Sequence, residues 1–118
     1  MKGYTDALRG YAFSVHQRDH WVCAYCGLDG KESLSSWLSL SLDHLLPKGH
    51  AHRDDPEYMV TSCLFCNVAD NRYFDLATSR GLTFDGKSRA QLVEQRKPWV
   101  MATWKDYESF WESNVRRG

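Results

Sequence analysis

Four cysteines in two matched pairs constrain this chain more than any other feature. They stand as Cys23-Ala-Tyr-Cys26 and Cys63-Leu-Phe-Cys66, with two residues inside each pair and 36 between the pairs. A two-residue gap lets both thiolates of a knuckle reach one tetrahedral ion, and Zn²⁺ takes such soft ligands. Two disulfides are the competing use of the same residues. The N-terminal stretch MKGYTDALRG lacks the apolar core of a secretory signal. A reducing, cytoplasmic setting is therefore the expectation, and it favours structural zinc over disulfides. Gly27 follows the first pair, where the turn of a knuckle calls for a residue tolerant of positive φ. A closed site of four cysteines leaves no open coordination position, so any catalysis needs other residues.

The 36-residue interval exceeds the ~15–20 of simple zinc modules, so something sizeable must lie between the knuckles. The chain has 118 residues, 42% of them hydrophobic and 25% charged, which excludes a fully disordered polymer. This length predicts a single domain over 1–118, with a core over about 9–80 and a C-terminal helical extension over about 86–118. The longest apolar runs are only a few residues, too short to cross a bilayer, so no membrane partner is expected. Fifteen basic and fifteen acidic side chains cancel, which excludes a polycation that coats nucleic acid by bulk charge. The balance is local instead. Residues 43–75 carry six acidic and three basic side chains, and residues 87–118 carry seven basic and four acidic. An acidic middle beside a basic tail suits a metal-holding centre flanked by phosphate-contacting surface, and equally an ordinary set of solvated faces.

Periodicity predicts a first helix over about 5–18 and a short strand at Trp21-Val22-Cys23. Alternating leucines at 38, 40 and 42 predict a strand over 37–43. Residues 47–56, polar and bounded by prolines, read as a loop. A helix is expected over 65–79, ended by Gly81, and another over 89–96, capped by Ser88. Pro98 is expected to break that helix before a last one over 100–115. Its aromatic side, with Trp104, Tyr107, Phe110 and Trp111, is expected to pack into the core.

Asp43-His44 closes the alternating strand. A carboxylate there suits a hard divalent cation, and the adjacent imidazole suits proton removal from water. Asn67 directly follows Cys66, and Asn71 lies four residues on, on the same helical face. Two amide oxygens could then face the ion that Asp43 holds. Read by themselves, Asn67 is also a helix cap beside the knuckle, and Asn71 a plain surface residue.

The runs Arg18-Asp19-His20-Trp21-Val22-Cys23-Ala24-Tyr25-Cys26-Gly27, Leu42-Asp43-His44-Leu45-Leu46-Pro47 and Val60-Thr61-Ser62-Cys63-Leu64-Phe65-Cys66-Asn67 resemble the zinc-knuckle branch of the HNH endonuclease family. The resemblance implies an α+β fold of the ββα-metal type, a two-stranded hairpin packed on a helix and held by the cysteine zinc. It further implies Asp43 and Asn67 as ligands of a catalytic Mg²⁺ or Mn²⁺, with Asn71 as a third, and His44 as the general base. The implied reaction is hydrolysis of DNA phosphodiester bonds, leaving a 5′ phosphate and a 3′ hydroxyl. The sequence departs from the family in two places. Tyr58 stands where an asparagine usually braces the loop carrying the base, and Asp70 stands where a lysine is usual. His50, His52 or the Tyr58 hydroxyl are candidates to supply the missing brace.

Lys48, Arg53 and Arg72 are candidates for phosphate contacts, with Arg53 leaning towards an ordinary surface charge. Arg96-Lys97 and Arg116-Arg117 in the basic tail are candidates to lie along a flanking strand. Cutting both strands with one small site calls for a homodimer or two successive nicks. A non-catalytic zinc module that binds nucleic acid, and a zinc-stapled protein-interaction domain, are the alternatives.

Overall fold

The structure, a computed structural model, describes residues 8–69 and 72–118. At its centre is an antiparallel hairpin of β1 (Leu40–His44) and β2 (Met59–Cys63), in register from Leu40 opposite Cys63 to His44 opposite Met59. Helix α1 (Phe13–Arg18) precedes the first cysteine pair, and α2 (Leu34–Leu38) precedes β1. A short 3₁₀ turn (Pro56–Tyr58) leads into β2. Then α3 (Leu64–Val68), α4 (Tyr73–Ser79) and the long α5 (Arg89–Asn114) follow. Helices and one small antiparallel sheet make the fold α+β, and the β1–β2–α3 run is the expected hairpin-and-helix unit.

All five residues of β2 are buried. Its second edge is satisfied from the N-terminal side. Thr61 N–H donates to the Asp19 carboxylate at 2.8 Å, and the Arg18 guanidinium donates to the Met59 carbonyl at 2.6 Å. The Ala24 N–H bonds the Thr61 carbonyl at 3.0 Å, tying the first knuckle to the strand. Fully buried His16 reaches the Thr61 hydroxyl at 2.7 Å. These contacts leave the hairpin no bare inner edge to pair with another chain.

Several local expectations change. The strand begins at Leu40 rather than residue 37, because Ser33 accepts from the Ser36 N–H and nucleates α2 through Trp37 and Leu38. The strand expected at 21–23 shrinks to a single bridge between Val22 and Asp29. The helix expected over 65–79 is two helices, α3 and α4; of the helix expected over 5–18, residues 5–7 lie outside the described residues, 9–12 are turns, and the continuous helix is Phe13–Arg18. Pro98 does not end a helix: α5 runs through it. Proline removes one backbone donor, but buried Leu92 and Val100 anchor the helix on both sides. Tyr107, Phe110 and Trp111 are exposed rather than core, bordering an open apolar groove of about 710 Å³ with Leu64 and Phe65.

Two predictions arise here. Ser88 and Gln91 form a reciprocal capping box at the start of α5. Ser88→Ala is expected to lower stability by ~1 kcal/mol, read as a shift of the urea midpoint at unchanged slope. Gly30 lies under β1, and a Cβ added there would come within 2.5 Å of Leu40 Cδ1 and 3.1 Å of the Trp21 carbonyl oxygen. Gly30→Ala is expected to cost ~1–3 kcal/mol by overpacking, whereas Gly86→Asn, at φ 74 with open space around it, is expected to cost less.

Candidate metal centre and active site

Both cysteine pairs converge. The Sγ atoms of Cys23, Cys26, Cys63 and Cys66 all lie within 4.8 Å of one another, with Cys26 and Cys63 at 3.8 Å. Thiolates around Zn²⁺ at ~2.3 Å stand roughly 3.8 Å apart, so the set fits a tetrahedral zinc ion. None of the four is in a disulfide. Local structure explains the approach. Gly27 adopts φ 81 and bonds back to the Cys23 carbonyl at 3.2 Å, closing the first knuckle. In the second, Cys63 caps α3, its sulfur accepting from the Cys66 N–H at 3.4 Å.

Asp43, His44 and Asn67 border one cavity of about 470 Å³. Strand β1 delivers the first two and α3 the third. The Asn67 amide nitrogen donates to the Ser41 hydroxyl at 2.9 Å and the Leu42 carbonyl at 3.3 Å, which fixes the helix on the strand. Lys48 and Arg53 from the loop also border the cavity, as do Phe74 and Asp75 from α4 and Arg96 from α5.

Burial and the Arg53 charge lower the His44 pKa below its ordinary value, against the opposing pull of Asp54. The imidazole is therefore neutral at pH 7 and able to accept a proton. Its Nε2 lies 3.4 Å from the Asp54 carboxylate. With Nε2 carrying the hydrogen towards Asp54, Nδ1 is left as the acceptor.

Asp43 is only 2% exposed. Burial pushes its pKa up to about 6, while Arg96 and the Tyr25 hydroxyl pull it back. The carboxylate is thus ionised at neutral pH, and both its oxygens are engaged. Oδ1 accepts from Arg96 Nη1 at 2.7 Å, and Oδ2 accepts from the Tyr25 hydroxyl at 2.8 Å. Arg96 Nη2 also donates to the Asn67 carbonyl at 3.1 Å. Arranged this way, Asp43 and Asn67 do not fit a divalent cation. A guanidinium already holds the carboxylate, and a second cation beside it would be repelled.

The remaining sequence candidates divide. Asn71 and Asp70 lie outside the described residues. His50, His52 and Tyr58 border a different cavity, of about 280 Å³. There the rings of His52 and Tyr58 stand 6.0 Å apart, and His50 Nε2 meets Asp85 at 2.6 Å. Tyr58 thus packs against the 47–56 loop, and its carbonyl accepts from the Leu45 N–H at 3.0 Å. Arg72 is exposed and Arg53 is half-buried at the cavity itself. Arg116 and Arg117 lie just beyond α5, whose last residue stands roughly 27 Å along the helix axis from Arg96. Arg116 pairs there with Glu112 at 2.9 Å.

Sequence reasoning missed Tyr25 and Asp54, and it placed Arg96 on a phosphate strand, whereas the structure buries it on Asp43. For Arg96 a signal existed. It sits between Leu92 and Val100 at four-residue steps, a charge on the buried stripe of a helix, and such a charge requires a buried partner.

The hairpin, the short helix, the cysteine clamp and the strand-end Asp-His pair together define a ββα unit stapled by a soft-metal site. The HNH endonuclease family model matches residues 23–72. No curated protein and no solved structure matches the chain.

Proposed function

We propose that this protein is an endonuclease that hydrolyses phosphodiester bonds in DNA, with His44 as the general base and zinc on Cys23, Cys26, Cys63 and Cys66 as a structural ion. The observation that carries this reading is the neutral His44 imidazole on a cavity bordered by Lys48 and Arg53 beside the Asp43-bound Arg96. His44 takes a proton from a water placed in line with the scissile P–O bond. The guanidinium of Arg53 and the ammonium of Lys48 hold non-bridging phosphate oxygens and offset the charge that grows as the 3′ oxygen departs. Asp54 orients the imidazole. The family match supports nuclease chemistry in general, and DNA is the finer reading.

The second reading, a zinc-held module that binds nucleic acid without cutting it, is favoured by one observation: Asp43 is tied to Arg96 rather than free. A plasmid assay separates the two. Zinc-loaded protein is mixed with supercoiled DNA, with Mg²⁺, with Mn²⁺ and with neither. Nicked circles that disappear with His44→Ala support hydrolysis. Protein with intact zinc that cuts neither DNA nor RNA under any of these conditions rules hydrolysis out, and retarded but uncut DNA then favours the binding module.

A further inference from the structure

We propose that Arg96 is the resident cation of this centre, occupying the place on Asp43 and Asn67 where a divalent ion would otherwise bind. The inference rests on placing the functional centre at the Asp43–His44 cavity, and its test reads ion binding rather than cleavage.

Three observations carry it. The first is position. One guanidinium spans β1 and α3, with Nη1 on the Asp43 carboxylate at 2.7 Å and Nη2 on the Asn67 carbonyl at 3.1 Å. Asp43 and Asn67 are the two residues that an ion bridging the hairpin and its helix would use, and Arg96 meets the second at its backbone oxygen rather than at its side-chain amide. The second is fixation. Arg96 is 4% exposed, and its guanidinium carbon lies 5.6 Å from the Tyr25 ring centroid, 5.4 Å from that of Tyr73 and 5.9 Å from that of Phe74. Flat, weakly hydrated guanidinium suits such a slot among aromatic faces, and its fork suits a carboxylate. The third is charge. Asp43 supplies one negative charge and Arg96 cancels it; Lys48 and Arg53 border the same cavity with Asp75, and Asp54 pairs with Arg53 at 3.5 Å. Among the described residues a dication entering there meets no excess of negative charge to replace its water shell.

Arg96 lies in α5, beyond the segment that matches the family model. The positive charge at the centre therefore comes from the chain's own helix.

The test is a Mn²⁺ titration of the zinc-loaded full chain, read by the electron paramagnetic resonance signal of free Mn²⁺. Four proteins are compared: wild type, Arg96→Met, Arg96→Lys and the charge-balanced Arg96→Met/Asp43→Asn. Methionine keeps length and apolar contact while removing the charge. Arg96→Met is expected to bind one Mn²⁺ roughly tenfold or more tightly than wild type, because repulsion at Asp43 is gone. Arg96→Lys is expected to match wild type, and the double variant to lose the gained site. An Asp43-dependent Mn²⁺ site in wild type that Arg96→Met leaves unchanged or weakens overturns the proposal. So does an Arg96→Met protein that gains no site. Should Arg96→Met fail to fold, wild type against Asp43→Asn decides: an Asp43-dependent site in wild type overturns it, and no such site upholds it.

Discussion

His44→Ala is expected to cut plasmid nicking by ~10²- to 10⁴-fold, the usual contribution of a positioned general base. Zinc content and the melting curve are expected to stay near those of wild type. His44 is half-exposed at the end of β1, and its place in register opposite Met59 does not need the imidazole. The loss should therefore appear in turnover rather than in folding or DNA retention, since Lys48 and Arg53 remain at the cavity. Gel quantification of nicked circles against time, beside a retardation assay, measures both. A variant that nicks as fast as wild type would remove His44 from the chemistry.

Withdrawing the zinc is expected to unfold the core. Each knuckle is built into the hairpin, the first through Ala24 on Thr61 and the second as the junction between β2 and α3. Structural zinc contributes an apparent ~10–16 kcal/mol in finger peptides, comparable with the whole stability of a domain at ~5–15 kcal/mol. Cys66 is fully buried, so Cys66→Ser both removes a ligand and leaves a hydroxyl among sulfurs. Circular dichroism during chelation, with released zinc followed by a chromogenic dye, tests this. Protein that keeps its cooperative melt after complete zinc release would show the ion to be dispensable.

The parts of the fold governed by short-range rules were legible in the sequence. The cysteine spacing, the positive φ at Gly27, the Ser88 cap and the polar 47–56 loop each follow from local chemistry. The serine-rich stretch before β1 misled because alternating leucines fit a strand, while the Ser33 cap that starts α2 was an equally local signal. Pro98 misled for a different reason: proline's intrinsic cost is local, but the packing of Leu92 and Val100 that overrides it is tertiary. At the site, the joint placement of Asp43, His44 and Asn67 on one cavity follows from the motif spacing. The partners of Asp43 do not, since Tyr25 lies 18 residues before it and Arg96 53 after it. Long-range ion pairs leave no periodic trace, only the oddity of an arginine on an apolar stripe.

That pairing sets the limits of the smallest piece able to stand alone. A fragment cut at the borders of the family match would keep every cysteine and the Asp-His pair, yet leave the Asp43 carboxylate behind the hairpin without its counter-ion. Such a fragment would have to protonate that acid or open its hairpin to water, so shortened versions intended for biochemistry should retain the helix through at least Val100.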